Sequence, residues 1–470
     1  LILRQRLALT RNQRFRNGRI AAEVAARHDW IRPGGSLDGH VTIKGISMSR
    51  ILVWILPMVF SAVVLMHHFS NPSMISTFGE SKEQINAKIG KVVLLHEQHP
   101  TFKRRMGTTW LIRACAGAGL DIYQSFVSIQ FLLMVGCGLL LGSVCRRLQV
   151  SKLEEAVAQI LFYGSYTVLF SFFAPIYSYD EFLQYFMVLA GLYFCLSNRV
   201  LALSIALLIA GLVRETTVFL LPGFYVIGGH KTGRFRLAAV LSGVGILIFM
   251  FVYVLAQNSP AGRGMGLAYR LSHLSFNFAG IERFRESVFS FLLALGVPFA
   301  LAVSRPFCRL NYSAWDRRVV CAAVITLAVN SPVVFVSAFA REARLFALPL
   351  LFIWPFAGVW LVQLVVRTRA SMRVRFQSGL IFLALSTAIA SGVLTWFFYT
   401  GTSTPFLAGM RNYAVLCTSM MAFTICLGSW TSNQSLKLQG ILTGSGCVSA
   451  RCASGQTAPA PWSASDSDRH

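Results

Sequence analysis

The residues of this chain best suited to chemistry stand inside some of its most apolar sequence. "RETTVFLLP" sets Arg214 and Glu215 side by side within a largely apolar run from Val200 to Ile227. "REARLFALP" repeats the pattern R-E-x-x-x-F-x-L-P 127 residues later, at Arg341 and Glu342, with Arg344 following. Between two other apolar runs, "YSYDEF" places Asp180 and Glu181 in a short turn. A guanidinium offers a planar fork for two phosphate oxygens, and a carboxylate can take a proton from a hydroxyl, so these residues suit binding an anionic group and activating an acceptor. Each has a plainer reading as well. An Arg-Glu pair can be an interfacial turn with a snorkelling arginine, and Asp180 and Glu181 can cap the positive end of the helix that begins near Phe182.

Further candidates lie upstream. Lys103, Arg104 and Arg105 form a basic patch that could engage lipid phosphates or could be a solvated face. Glu80, Glu83, Glu97 and Asp121 are the acidic residues of the same region, and Glu83 ranks behind Asp180 as a proton acceptor. "HEQHP" pairs His96 with His99, near His67 and His68, but its spacing is not that of a zinc helix. The ten cysteines form no C-x-x-C, and most lie in apolar runs as packing residues. No metal ligand set is assigned and no cofactor is expected, with a divalent ion left open.

The elements that must position these residues are membrane-spanning helices. Of 470 residues, 55% are hydrophobic and only 13% charged, too few charges for the surface of a soluble protein of this length. Apolar runs predict an all-α polytopic bundle of about 11 to 12 spans: 51–69, 122–144, 156–176, 182–197, 200–213, 216–228, 237–256, 289–303, 319–339, 345–366, 378–399 and 413–430. The lower count takes 199–228 as one helix. As two, each run of about 14 residues covers only ~21 Å of a ~30 Å hydrocarbon core, so the pair should be tilted, broken or shielded.

Basic residues set the orientation. With a cytoplasmic N-terminus the inner loops hold 15 Lys and Arg in 47 residues, whereas the outer loops spread 15 over 109. Asp180, Arg214, Glu215, Arg341, Arg344 and the loop 70–121 then share the outer face of a multi-pass cytoplasmic membrane protein. The net charge of +25 reads as a topology signal whose partners are membrane lipids rather than nucleic acid.

Residues 1–47 form a basic extension, disordered or lying ahead of a true start at Met48; 48–430 form the membrane domain; 431–470, rich in Ser, Gly, Ala and Pro, read as a disordered tail. Within the first outer loop, Ile85, Ile89, Val92 and Val93 fall at helical spacing with Lys82, Glu83, Lys88 and Lys91 between them. That predicts an amphipathic helix suited to the membrane surface.

The long first outer loop with its surface helix, "YSYDEF", "RETTVFLLP" and "REARLFALP" together resemble the bacterial polytopic membrane proteins related to GT-C glycosyltransferases. The resemblance covers 51–430 in layout and about thirty residues in motif. It implies transfer of a sugar from a polyprenyl-phosphate donor at the outer face, with an acidic base (Asp180, Glu83 or Glu181) and with Arg214, Glu215, Arg341, Arg344, Lys103, Arg104 and Arg105 around the substrate. The loop lacks the Asp-Asp, Asp-x-Asp or Glu-x-Asp of those enzymes. Two other roles stay open: a transporter or flippase of a lipid-linked or small anionic solute, and a non-catalytic subunit of an envelope-polysaccharide assembly.

Overall fold

The computed structural model describes residues 50–69, 81–98, 102, 105–171, 179–228, 233–256, 267–307, 314–338, 343–374, 378–400 and 411–429. The two terminal segments, the start of the first loop with Glu80, and His99, Lys103, Arg104, Arg341 and Glu342 lie outside them. Among the described residues every regular element is helical: α1 (Arg50–Phe69), α2 (Lys82–Gln98), α3 (Met106–Gly117), α4 (Ile122–Arg147), α5 (Lys152–Tyr163), α6 (Tyr166–Leu169), α7 (Glu181–Leu196), α8 (Val200–Val213), a 3-10 helix (Glu215–Leu220), α9 (Leu221–Gly228), α10 (Gly233–Ala256), α11 (Leu267–Phe278), α12 (Gly280–Phe307), α13 (Ala314–Ser337), a second 3-10 helix (Ala343–Ala347), α14 (Leu350–Val374), α15 (Ser378–Thr400) and α16 (Arg411–Ser429).

Six of these are long and apolar enough to cross a membrane, and five shorter apolar helices accompany them, so the chain is a multi-pass, all-α membrane protein. Leucine, isoleucine, valine and phenylalanine side chains are exposed along α1, α10 and α15, the pattern of helices whose outer faces meet lipid. The predicted span 156–176 is not one continuous helix. α5 is only 12 residues long, starts on a Ser151–Glu154 capping box and ends at Gly164, where the Ser165 hydroxyl donates to the Phe162 carbonyl. The predicted loop 257–288 is corrected too, since α11 and the first turns of α12 occupy its described part.

α4 sits at the centre, packed on α1, α2, α3, α5 and α7. α14 packs along α5, and its Trp354 stands edge-on to Phe162, 4.8 Å between ring centroids. Gly358 makes that approach close: a Cβ there would collide with the Glu154 carbonyl and with Ala158. Gly296, at φ +51°, breaks α12 in a conformation that favours glycine.

The region 200–228 is two helices, not one. α8 ends at Val213, Arg214 is extended (φ −154°, ψ 121°), and the 3-10 turn leads into α9. Register against α10 gives the directions. Ser204 faces Ser242, Leu208 faces Gly245 and Gly211 faces Ile246, so α8 runs with α10; Leu221 faces Gly243 and Gly228 faces Phe235, so α9 runs against it. The chain therefore doubles back, and Arg214 stands at the tip of a short helical hairpin.

The amphipathic helix predicted in the first loop forms as α2. Its stripe of Ile89, Val93 and His96 is buried against α3 and α4 instead of lying on lipid. A 2.9 Å Lys82–Asp121 ion pair and the Tyr123 amide donating to Asn86 fix its start to α4. Arg113 of α3 grips Glu97 with two hydrogen bonds of 2.7 and 2.8 Å and fixes its end.

Candidate functional site

Four chain segments converge at the end of the bundle where α2 finishes, and they bring the predicted charges into contact. Each is delivered by a helix boundary, where chain direction changes and backbone groups are left for side chains or ligands. Asp180 precedes α7 and Glu181 opens it; Arg214 and Glu215 form the hairpin tip; Arg344 lies on the second 3-10 helix; Arg105 immediately precedes α3. The described parts of the two R-E motifs share one feature. A 3-10 helix, Glu215–Leu220 in one and Ala343–Ala347 in the other, is followed by an apolar helix, with Pro222 in the first turn of α9 and Pro349 just before α14.

Glu181 is the centre. Arg214 Nη1 pairs with its Oε1, and Arg344 Nε lies 3.5 Å from the same oxygen, all three side chains being buried. Arg344 also donates to the Ser171 carbonyl at 2.8 Å. Arg105 turns inward and clamps Glu215 through both Nε and Nη2, in a largely buried ion pair. Burial works against the Arg105 charge, and Glu215 outweighs it, raising the guanidinium's pKa. A buried group of this kind holds together only while every charge has its partner.

Asp180 is treated differently. Its side chain has no exposure, and neither carboxylate oxygen accepts a hydrogen bond among the described residues. His96 faces it, with Nδ1 3.8 Å from Oδ2. The imidazole is stacked between Tyr179 and Phe102, with ring centroids 4.1 and 4.7 Å away. Tyr179 is held in turn: its hydroxyl shares a 2.8 Å hydrogen bond with Thr109, and its carbonyl accepts from Gln130. Burial pushes the Asp180 carboxyl up to about 8, with Arg105 the largest opposing influence and Glu181 adding to the rise. Such a carboxyl, poised between its two forms near neutral pH, can take or give a proton.

A small cleft opens beside these groups, about 200 Å³ counting the part open to solvent. Glu181, Gln184, Arg214, Thr216 and Arg344 supply its polar lining, and Tyr185, Leu345 and Leu348 its apolar wall. Arg214 Nε donates no hydrogen bond among the described residues. Gln184 donates to both Thr216 and Thr217, stiffening the hairpin tip.

Of the residues singled out in sequence, Asp180, Glu181, Arg214, Glu215, Arg344 and Arg105 meet here. Glu83 does not: it is exposed in the first turn of α2, and thirteen residues of helix separate it from His96, about 20 Å at ~1.5 Å per residue. His96 faces Asp180 and Tyr179 stacks on the imidazole, whereas spacing alone pointed to His96 only as a metal ligand. Among the described residues no group of three His, Cys, Asp or Glu is placed to hold a metal ion. Compared with protein-family models, with curated proteins and with solved structures, the chain matches none.

Proposed function

We propose that the chain is a membrane-embedded, GT-C-like transferase that moves a sugar from a polyprenyl-phosphate donor onto a hydroxyl. The observation that carries this reading is Asp180, a wholly buried carboxyl accepting no hydrogen bond among the described residues, set beside an arginine-lined cleft. In the reaction the acceptor oxygen bonds to the anomeric carbon as the bond from that carbon to the phosphate oxygen breaks. Asp180 takes the acceptor's proton, and the bonding pair leaves with the phosphate. Arg214 and Arg344 face that phosphate from the cleft and stabilise its growing charge, with Arg214 Nε a ready donor. Gln184 and Thr216 line the same space.

A carrier reading draws on a separate observation. The α8–α9 hairpin breaks at its charged tip, as discontinuous helices do around midplane sites in transporters, and a 3-10 helix also stands at 343–347 in the second repeat. One experiment divides the two. Purified protein in proteoliposomes is given labelled polyprenyl-phosphate sugar and an acceptor, and both bond cleavage and movement of the label are followed. Cleavage that disappears in Asp180→Asn supports the transferase; movement without cleavage rejects it in favour of the carrier.

A further inference from the structure

We infer that His96 and Asp180 form a proton-holding pair whose protonation is linked to anion binding in the Arg214–Arg344 cleft. The inference rests on the reading of that cleft as a phosphate site and adds its control.

The two side chains are fully buried and face each other at 3.8 Å, so a proton gained by either is felt by both. Stacking between Tyr179 and Phe102 fixes the imidazole in the ring plane, and Thr109 and Gln130 fix Tyr179. Asp180 adjoins Glu181 in the chain, and Glu181 is what both cleft arginines hold. The charged groups around the pair are Arg105 and Glu215 from the segment before α3 and the hairpin tip, Glu181 from α7, Arg214 from the end of α8 and Arg344 from the second 3-10 helix. Glu97 and Arg113 stand beyond Tyr179, paired with each other.

One proton on the pair raises the charge of this cluster by one unit. The pair and the arginines beside it are buried, so that unit is only weakly screened by solvent at the cleft. An anion is held more tightly while the proton is present, and by thermodynamic reciprocity the anion holds the proton. This has a use in the proposed reaction. The proton taken from the acceptor stays beside the phosphate as that phosphate gains its second charge, and it must leave before the phosphate is freely released.

The test uses the full chain in nanodiscs and two probes whose charge does not titrate over the range used: farnesyl sulfate, a lipid-borne tetrahedral anion, and inorganic sulfate. Calorimetry in buffers of different ionisation enthalpy counts the protons exchanged on binding between about pH 5 and pH 9. Expected for the unaltered protein is uptake of up to one proton per anion and an affinity that falls up to about tenfold per pH unit above the pair's titration. Asp180→Asn should bind with an affinity that changes far less with pH, and His96→Gln should shift the pH at which uptake occurs. Uptake with farnesyl sulfate supports the linkage at a lipid-phosphate site; uptake with inorganic sulfate alone supports the linkage and counts against a lipid-borne donor. Binding with no proton exchange at any pH, or no binding of either probe by folded protein, overturns the inference. Loss of sugar cleavage with proton-linked binding intact would instead reject the transferase and spare the linkage.

Discussion

At the scale of single residues, the cluster separates groups that hold the site from groups free to react. Arg105 and Glu215 hold it. Replacing Glu215 with Ala leaves a buried guanidinium without that partner, and we expect a loss of about 3–5 kcal/mol, read as a lowered unfolding temperature in detergent. The double replacement of Arg105 and Glu215 should be milder than the two single losses combined, which a double-mutant cycle measures. Asp180 reacts. As a base it works as carboxylate, so with its pKa raised to about 8 the rate of transfer should climb as pH passes through that value and level off above it. A pH profile of kcat/KM checks this, and a rate flat from acid to alkali would remove Asp180 from the role. Arg214→Lys keeps the charge and loses the fork, so transfer should fall roughly 100–1000-fold while the protein still folds. Most of these residues were legible in sequence because a charge inside apolar sequence is expensive and therefore conspicuous. His96 was not, because its partners come from Tyr179 and Phe102, and no spacing rule connects a histidine to an aromatic eighty residues away.

At the scale of elements, the spans were legible where a continuous apolar run matched a continuous helix. α5 escaped because apolar composition continues through Gly164 while the backbone does not. The amphipathic period of α2 was legible, but its burial was not, since the same stripe suits a membrane surface or a protein neighbour. The repeated R-E motif was legible as a repeat, and the 3-10 helices at 215–220 and 343–347 emerged only in three dimensions. One close approach decides how α14 and α5 fit together. Gly358→Ala puts a methyl group into the Glu154 carbonyl and Ala158, and since the obstacle is backbone it cannot simply rotate aside. We expect the variant to be destabilised by about 1–3 kcal/mol, measured by thermal unfolding, with the hairpin tip and its charges unaffected.

At the scale of the whole molecule, span parity and side-chain contact agree about which ends belong together. Arg105, Asp180, Arg214 and Arg344 lie far apart in sequence, and counting spans already assigned them one side. The density of basic residues predicts that side to be the outer one. Single cysteines at Ser81 and Gln149, in a background whose native thiols are replaced, test it with an impermeant reagent. Labelling at position 81 and protection at position 149 in intact cells are expected, and the opposite pattern would place the charged cluster on the inner face.

The short hairpin of α8 and α9 also makes the protein a gauge of the bilayer around it. A helix of 14 residues rises about 21 Å, several ångströms less than an average hydrocarbon layer, so lipid beside the hairpin must thin or the tip must sink below the headgroups. Acyl chains of different length would then change how far Arg214 lies from the water that carries protons to and from the site. Reconstitution in lipids of graded chain length should show the fastest transfer in the thinner membranes, with thick ones slowing it at unchanged fold.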